Sequence, residues 1–192
     1  MMFQTIAIAV LIAFYGCYIA KMMSQKRKGI QTDQMGKGKV GFVKFIEVTM
    51  KISAILVFVT GLVSILAGAS HGPVPLRVAG AVISALGTAF FIISVLTMRD
   101  SWRAGIPSED KTTLVSDGIF QYSRNPAFLG FDLTYAGILL MYFNFPLLLF
   151  TLWAIVALHM QILQEEKFLI RAFGAEYAAY KARTGRYLGK KG

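Results

Sequence analysis

Charge is what this 192-residue chain is short of: Asp, Glu, Lys and Arg make up 16% of it, against about 25% in a soluble domain. The deficit is filled by hydrophobic residues, 56% of the chain, and the mean hydropathy is +0.58. Such a composition excludes a disordered chain, and no glycine period points to a collagen-like fibre. Cys17 is the only cysteine, so neither an intrachain disulfide nor a cysteine-cluster metal site can form. His71 and His159 stand far apart and no His-Glu-x-x-His occurs, so no histidine metal centre is expected.

What is present is apolar sequence in blocks. Residues 1–20, 52–76, 78–98 and 133–164 contain no Asp, Glu, Lys or Arg. About 20 helical residues cross a hydrocarbon core of about 30 Å, so each block is long enough to span. The last is too long for one span and is interrupted by Asn144-Phe145-Pro146. Proline lacks a backbone N–H and suits the first turn of a new helix. This predicts a tight hairpin with arms over about 127–143 and 146–164, giving about five transmembrane helices in an all-α bundle. Leu169, Phe173, Tyr177 and Tyr180, spaced by four, four and three, predict a C-terminal cytoplasmic amphipathic helix. The chain reads as one membrane domain over 1–192, with three spans in 1–98 and the polar-rich half in 99–192.

With five spans, eighteen of the twenty basic residues fall in segments 21–44, 99–124 and 165–192, all on one side. Lys51 lies just inside the second span, and only Arg77 belongs to the other side. The positive-inside rule places the N-terminus outside and the C-terminus in the cytoplasm. The net charge of +10 is therefore a topology signal and an attraction to membrane lipids, and no nucleic-acid partner is expected. Positive charge follows the first apolar run instead of preceding it, so that segment is expected to stay in the mature protein.

Two small-residue stripes, Gly80/Ser84/Thr88 and Ala81/Ala85/Ala89, predict close helix packing within the bundle. Gly36, Gly38 and Gly41 match the spacing of a dinucleotide-binding glycine motif, but no strand precedes them and the loop is basic, so that reading is rejected.

The remaining polar content is concentrated in the cytoplasmic half. Segment 114–130 holds Leu114, Val115 and Phe120, then Arg124-Asn125-Pro126-Ala127-Phe128 at the mouth of the fourth span. Gln161, Gln164, Glu165 and Glu166 follow the fifth. A hairpin at Asn144 returns both groups to one membrane face, where they can build one pocket. Asp132 is an ionisable group inside a span and so a functional candidate. Arg124 suits a carboxylate or phosphate, and Trp102 an interfacial anchor or a substrate wall.

The run 114–130, followed by Glu165-Glu166-x-x-Leu169-x-x-x-Phe173-Gly174-x-x-Tyr177-x-x-Tyr180 and then Arg186-Tyr187, resembles the isoprenylcysteine carboxyl methyltransferase family. The wider group of integral-membrane methyltransferases, including phospholipid methyltransferase-like members, shares this pattern. The likeness covers about 100–188. It implies an enzyme that binds S-adenosylmethionine at the cytoplasmic side and takes a lipophilic or lipid-like acceptor from the bilayer. By position it implies Gly105, Thr112, Leu114, Val115, Phe120, Asn125, Pro126, Ala127, Phe128 and Glu165 as cofactor-binding residues. Arg124, Asp132 and Glu166 become catalytic candidates, and Gln161 and Trp102 acceptor-binding ones.

Three departures stand out. Asn125 and Phe128 replace the histidine and tyrosine usual in the family. Gln161 replaces an arginine that prenylcysteine-methylating members use, suited to an acceptor carboxylate, which argues against that substrate. Two other readings keep the architecture: a membrane reductase of the sterol-reductase-like type using NADPH, and a non-catalytic membrane scaffold. The reductase pattern places an aspartate directly after the glycine corresponding to Gly130, whereas Phe131 intervenes before Asp132 here.

Overall fold

A computed structural model describes residues 1–68, 70, 72–106 and 113–190. Five α-helices follow one another: α1 (Met2–Arg27), α2 (Gly41–Leu66), α3 (Val74–Met98), α4 (Pro126–Met141) and α5 (Phe145–Arg183). Short 3-10 turns at Arg99–Ser101 and Gly118–Gln121 lie between α3 and α4. Four helices are long and apolar enough to cross a membrane, and α4, with 16 residues, is a shorter apolar one. The chain is a membrane helical bundle.

The hairpin between α4 and α5 forms where the sequence places it. Asn144 caps α5 by accepting from the Leu147 N–H at 2.9 Å, and its amide donates to Ser64 Oγ at 2.8 Å, tying the turn to α2. At the same end Arg77 lies over the Phe3 ring, 4.2 Å from its centroid, so the cation covers an aromatic face.

α3 and α4 are the closest pair. A Cβ on Gly80 would lie 2.6 Å from the Gly137 carbonyl, and one on Gly87 would lie 2.5 Å from the Thr134 nitrogen. Only glycine permits that approach, and Ser84 and Thr88 are buried in the same seam. The alanine stripe does not share it: Ala85 and Ala89 are exposed on the outer face.

Two boundaries differ from expectation. α2 starts at Gly41, eleven residues before the charge-free run, because its Glu47 pairs internally with Lys39 instead of facing lipid. The 52–76 run is divided where α2 ends at Leu66 and α3 begins after Pro73. The apolar span runs on as helix through Leu169 to Phe173, and non-helical backbone at Gly174 (φ 50°, ψ −121°) then kinks α5, so its last segment, up to Arg183, is a second helix.

Candidate functional site

Two neighbouring cavities sit where α4 and α5 meet the segment leading out of α3. The first, of about 140 Å³, is walled by Gly105, Leu114, Val115, Phe120, Arg124, Asn125, Pro126, Ala127, Phe128 and Glu165, with Trp102 and Tyr180. Nine of the ten residues expected at a cofactor thus surround one space. Thr112 lies outside the described residues. The second, of about 290 Å³, is almost wholly apolar and reaches between α1, α2, α4 and α5 past Tyr15, Tyr18, Phe58, Tyr135 and Leu158. Trp102, Arg103, Gly105, Ala127, Phe128 and Glu165 line both, so the cavities share a wall.

Remote stretches of chain are held together here by specific bonds. Tyr180 Oη donates to the Phe120 carbonyl at 2.7 Å, and Phe120, Tyr177 and Tyr180 form a buried cluster against Leu169 and Phe173. Beyond α5 the chain folds back. The Arg124 N–H donates to the Gly185 carbonyl at 3.0 Å and the Asn125 amide to the Arg186 carbonyl at 3.1 Å. Arg124 Nη2 reaches Glu166 Oε1 at 2.6 Å, Arg186 reaches the other carboxylate oxygen at 2.9 Å, and Arg124 Nη1 donates to the Thr184 carbonyl.

The other wall is pinned from α1 and α2. The Gln25 amide donates to the Trp102 carbonyl at 3.0 Å, and residues 32–34 pair with Ala104 through two backbone hydrogen bonds. Gly105 has φ +90°, and a Cβ there would meet the Met35 nitrogen at 2.9 Å, so this close approach requires glycine. Glu47, fully buried, accepts from Lys39 Nζ at 2.6 Å, the Gly36 N–H at 2.7 Å and the Ile106 N–H at 2.9 Å.

Several candidates are placed otherwise than the sequence suggests. Glu166 lines neither cavity; it is spent on two arginines behind the wall. Arg124 does line the first, but its guanidinium faces Glu166 and the 181–184 carbonyls. Asp132 lines neither, and its Oδ1 is buried without a hydrogen-bond partner among the described residues. Gln161 lines neither and is fully buried, its amide donating to Glu165 at 3.0 Å and toward Glu47 at 3.4 Å. Trp102 is 4% exposed, packed against Tyr18 and Phe91, and so is an inner wall and not a headgroup anchor.

Electrostatically the two glutamates differ. Both lie beyond residue 164, where the apolar stretch of α5 ends. Burial pushes the Glu165 carboxyl up to about 7, against the lowering effect of its Gln161 hydrogen bond. Burial also raises Glu166, but the hydrogen bonds from Arg186 and Arg124 outweigh it and hold the group below its ordinary value. Glu165 has no ion pair among the described residues, and it faces the space the cavities share.

The family model for phospholipid methyltransferase matches residues 76–176, just over half of the chain. The chain belongs to this family. It is also similar to a Protein-S-isoprenylcysteine O-methyltransferase of Saccharomyces cerevisiae, at 35% identity over 80 residues, 40% of this chain and 33% of that protein. The match therefore spans about a third of that relative's length. The family segment includes α4, nearly all of α3 and most of α5; α1 and α2, with Tyr15, Tyr18, Glu47 and Phe58, lie outside it.

Nothing in the sequence singled out Glu47, Lys39 or Gln25. The available signal was an acidic residue between two lysines at 44 and 51, directly before an apolar run, which reads equally well as a solvated helix start.

Proposed function

We propose that this protein is an S-adenosylmethionine-dependent integral-membrane methyltransferase acting on a lipophilic or lipid-like acceptor at the cytoplasmic face, with its N-terminus outside. One observation carries the reading: Glu165, a half-buried carboxylate with no ion pair among the described residues, faces both an aromatic-walled cavity and an apolar one. An ammonium or sulfonium ligand fits such a carboxylate. When bound, the cofactor supplies an activated methyl group on a sulfonium, so the protein needs no strong base for an acceptor that is already nucleophilic.

The protein's own residues then have definable tasks. Glu165 holds the cofactor's ammonium. Phe120 and Phe128 offer ring faces to adenine or to the cation. Asn125, Pro126 and Ala127 shape the cavity wall, and Arg124, clamped by Glu166, fixes the corner that presents them. The larger cavity takes the acceptor's apolar body between α1, α2 and α5, with Trp102 and Phe128 at the passage between donor and acceptor. Bringing the two reactants together out of water accounts for the rate enhancement asked of the site. Gln161 contacts Glu165 and not the cavity, so it is a positioning residue in this reading.

Binding of S-adenosylhomocysteine to the detergent-solubilised protein, compared with NADPH, tests the proposal. A rise in melting temperature with the former alone is expected, followed by transfer of labelled methyl into extracted lipid. A response to NADPH alone overturns it in favour of the reductase, and a response to neither favours the scaffold.

A further inference from the structure

The bridge between α2 and α5 does more than join two helices. Gln161 Nε2 carries two N–H groups, and the two acceptors within its reach are both carboxylates, Glu165 Oε1 at 3.0 Å and Glu47 Oε1 at 3.4 Å. The opposite amide orientation would aim a carbonyl oxygen at both carboxylates, so the charges themselves fix the amide. Glu47 is in turn fixed by Lys39, Gly36 and the Ile106 N–H, all within 2.9 Å. Both Glu47 and Gln161 are fully buried and neither lines either of the two cavities.

We propose that Glu47 is a positioning residue for the cofactor site: through Gln161 it orients the Glu165 carboxylate, and through Ile106 it anchors the facing wall. This rests on the reading of Glu165 as the cofactor's ammonium ligand. It places the control of that ligand on α2, outside the segment matched by the family.

The relay has an electrostatic consequence that a purely structural role lacks. Glu47 is a like charge that disfavours ionisation of Glu165, whereas the Gln161 N–H favours it. The other charged groups around Glu165 are Lys39 from the 28–40 loop, Lys51 from α2, Arg103 from the segment after α3 and Arg124 before α4; α1 contributes only Tyr15 and Tyr18. Neither substitution removes any of these four cations. Removing Glu47's charge therefore lowers the pH at which Glu165 ionises, and removing the Gln161 amide raises it.

The test is S-adenosylhomocysteine affinity of the full-length protein in detergent, measured from pH 5.5 to 8.5 for wild type, Glu47→Gln and Gln161→Leu. The ligand's own titration is common to all three and cancels in the comparison. The midpoint of the pH profile should fall by about one unit in Glu47→Gln and rise in Gln161→Leu. Affinity that drops equally at every pH, with both midpoints unmoved, overturns the relay and leaves the methyltransferase reading standing. Should Glu47→Gln fail to fold, Gln161→Leu decides alone, because the Glu47–Lys39 pair is intact in it. Wild-type protein that binds no S-adenosylhomocysteine overturns both the cofactor reading and the relay.

Discussion

Arg124, before α4, and Glu166, on α5, are 42 residues apart in sequence and 2.6 Å apart in space, with side chains 3% and 5% exposed. A buried charge that loses its partner costs more than the pair contributes, so this contact locks the corner that presents Asn125 to Phe128.

Glu166→Gln should lower stability by about 3 kcal/mol, read as a fall in melting temperature in detergent. Because Glu166 is held below its ordinary value of 4.5 in the folded protein, its contribution is fully present above that pH. It is lost as pH falls through the lowered value, so wild type should lose stability on acidification and the variant should lose less. A variant with unchanged melting temperature but no methyl transfer would return Glu166 to a catalytic role.

Glu165→Gln should abolish detectable S-adenosylhomocysteine binding while leaving the melting temperature of the unliganded protein nearly unchanged. In wild type the carboxyl ionises near pH 7, and only the ionised form attracts an ammonium, so affinity should rise from pH 6 to pH 8. Calorimetric titration across that range checks the slope.

Gln161→Arg introduces the arginine that the resemblance implies for prenylcysteine-methylating members, but between Glu47 and Glu165 a guanidinium would pair with them. The expected outcome is weaker S-adenosylhomocysteine binding by about tenfold and no gain of activity on a prenylcysteine. Activity on that acceptor would show that the arginine reaches the cavity after all.

Ala54→Phe fills part of the apolar cavity from α2, a helix that contributes nothing to the first cavity's wall. Methyl transfer into membrane lipid should fall with S-adenosylhomocysteine affinity unchanged. A parallel loss of both would mean that the two cavities do not divide donor from acceptor.

Gly87→Leu probes the scaffold. With a Cβ already 2.5 Å from the Thr134 nitrogen, α3 and α4 must separate, at a cost of about 3 kcal/mol, and the corner at Asn125 moves with α4. Reduced expression and a lower melting temperature are the measurements.

Some features are legible one segment at a time. The Asn144 cap with Pro146 behind it, the apolar blocks and the Leu169–Tyr180 stripe are local patterns, and the helices and hairpin follow them. The family pattern, quoted residue by residue, also named nine of the residues that surround the first cavity. Its weak points were side chains whose direction depends on a partner. Glu166 stands next to Glu165, but one helical step turns it by about 100°, toward Arg124 and Arg186 and away from the cavity. Gln161 looked like an acceptor contact because the family pattern puts an arginine there; a shorter amide between two carboxylates is occupied before any ligand arrives. The charge-free run leaves out the first eleven residues of α2 because Lys44, Glu47 and Lys51 fall in them, whereas Glu47 is neutralised inside the protein by Lys39.

By itself the sequence determined the membrane solvent, the number and rough extent of the helices and the family, because hydropathy, capping and motif spacing are properties of contiguous residues. Which carboxylate faces the cavity, which is consumed by arginines, and how α2 reaches the site through Gln161 were decided only by tertiary structure. A charge in a low-dielectric interior takes its role from whatever neutralises it, and that partner lies 8 residues away for Glu47 and Lys39 but 42 for Arg124 and Glu166.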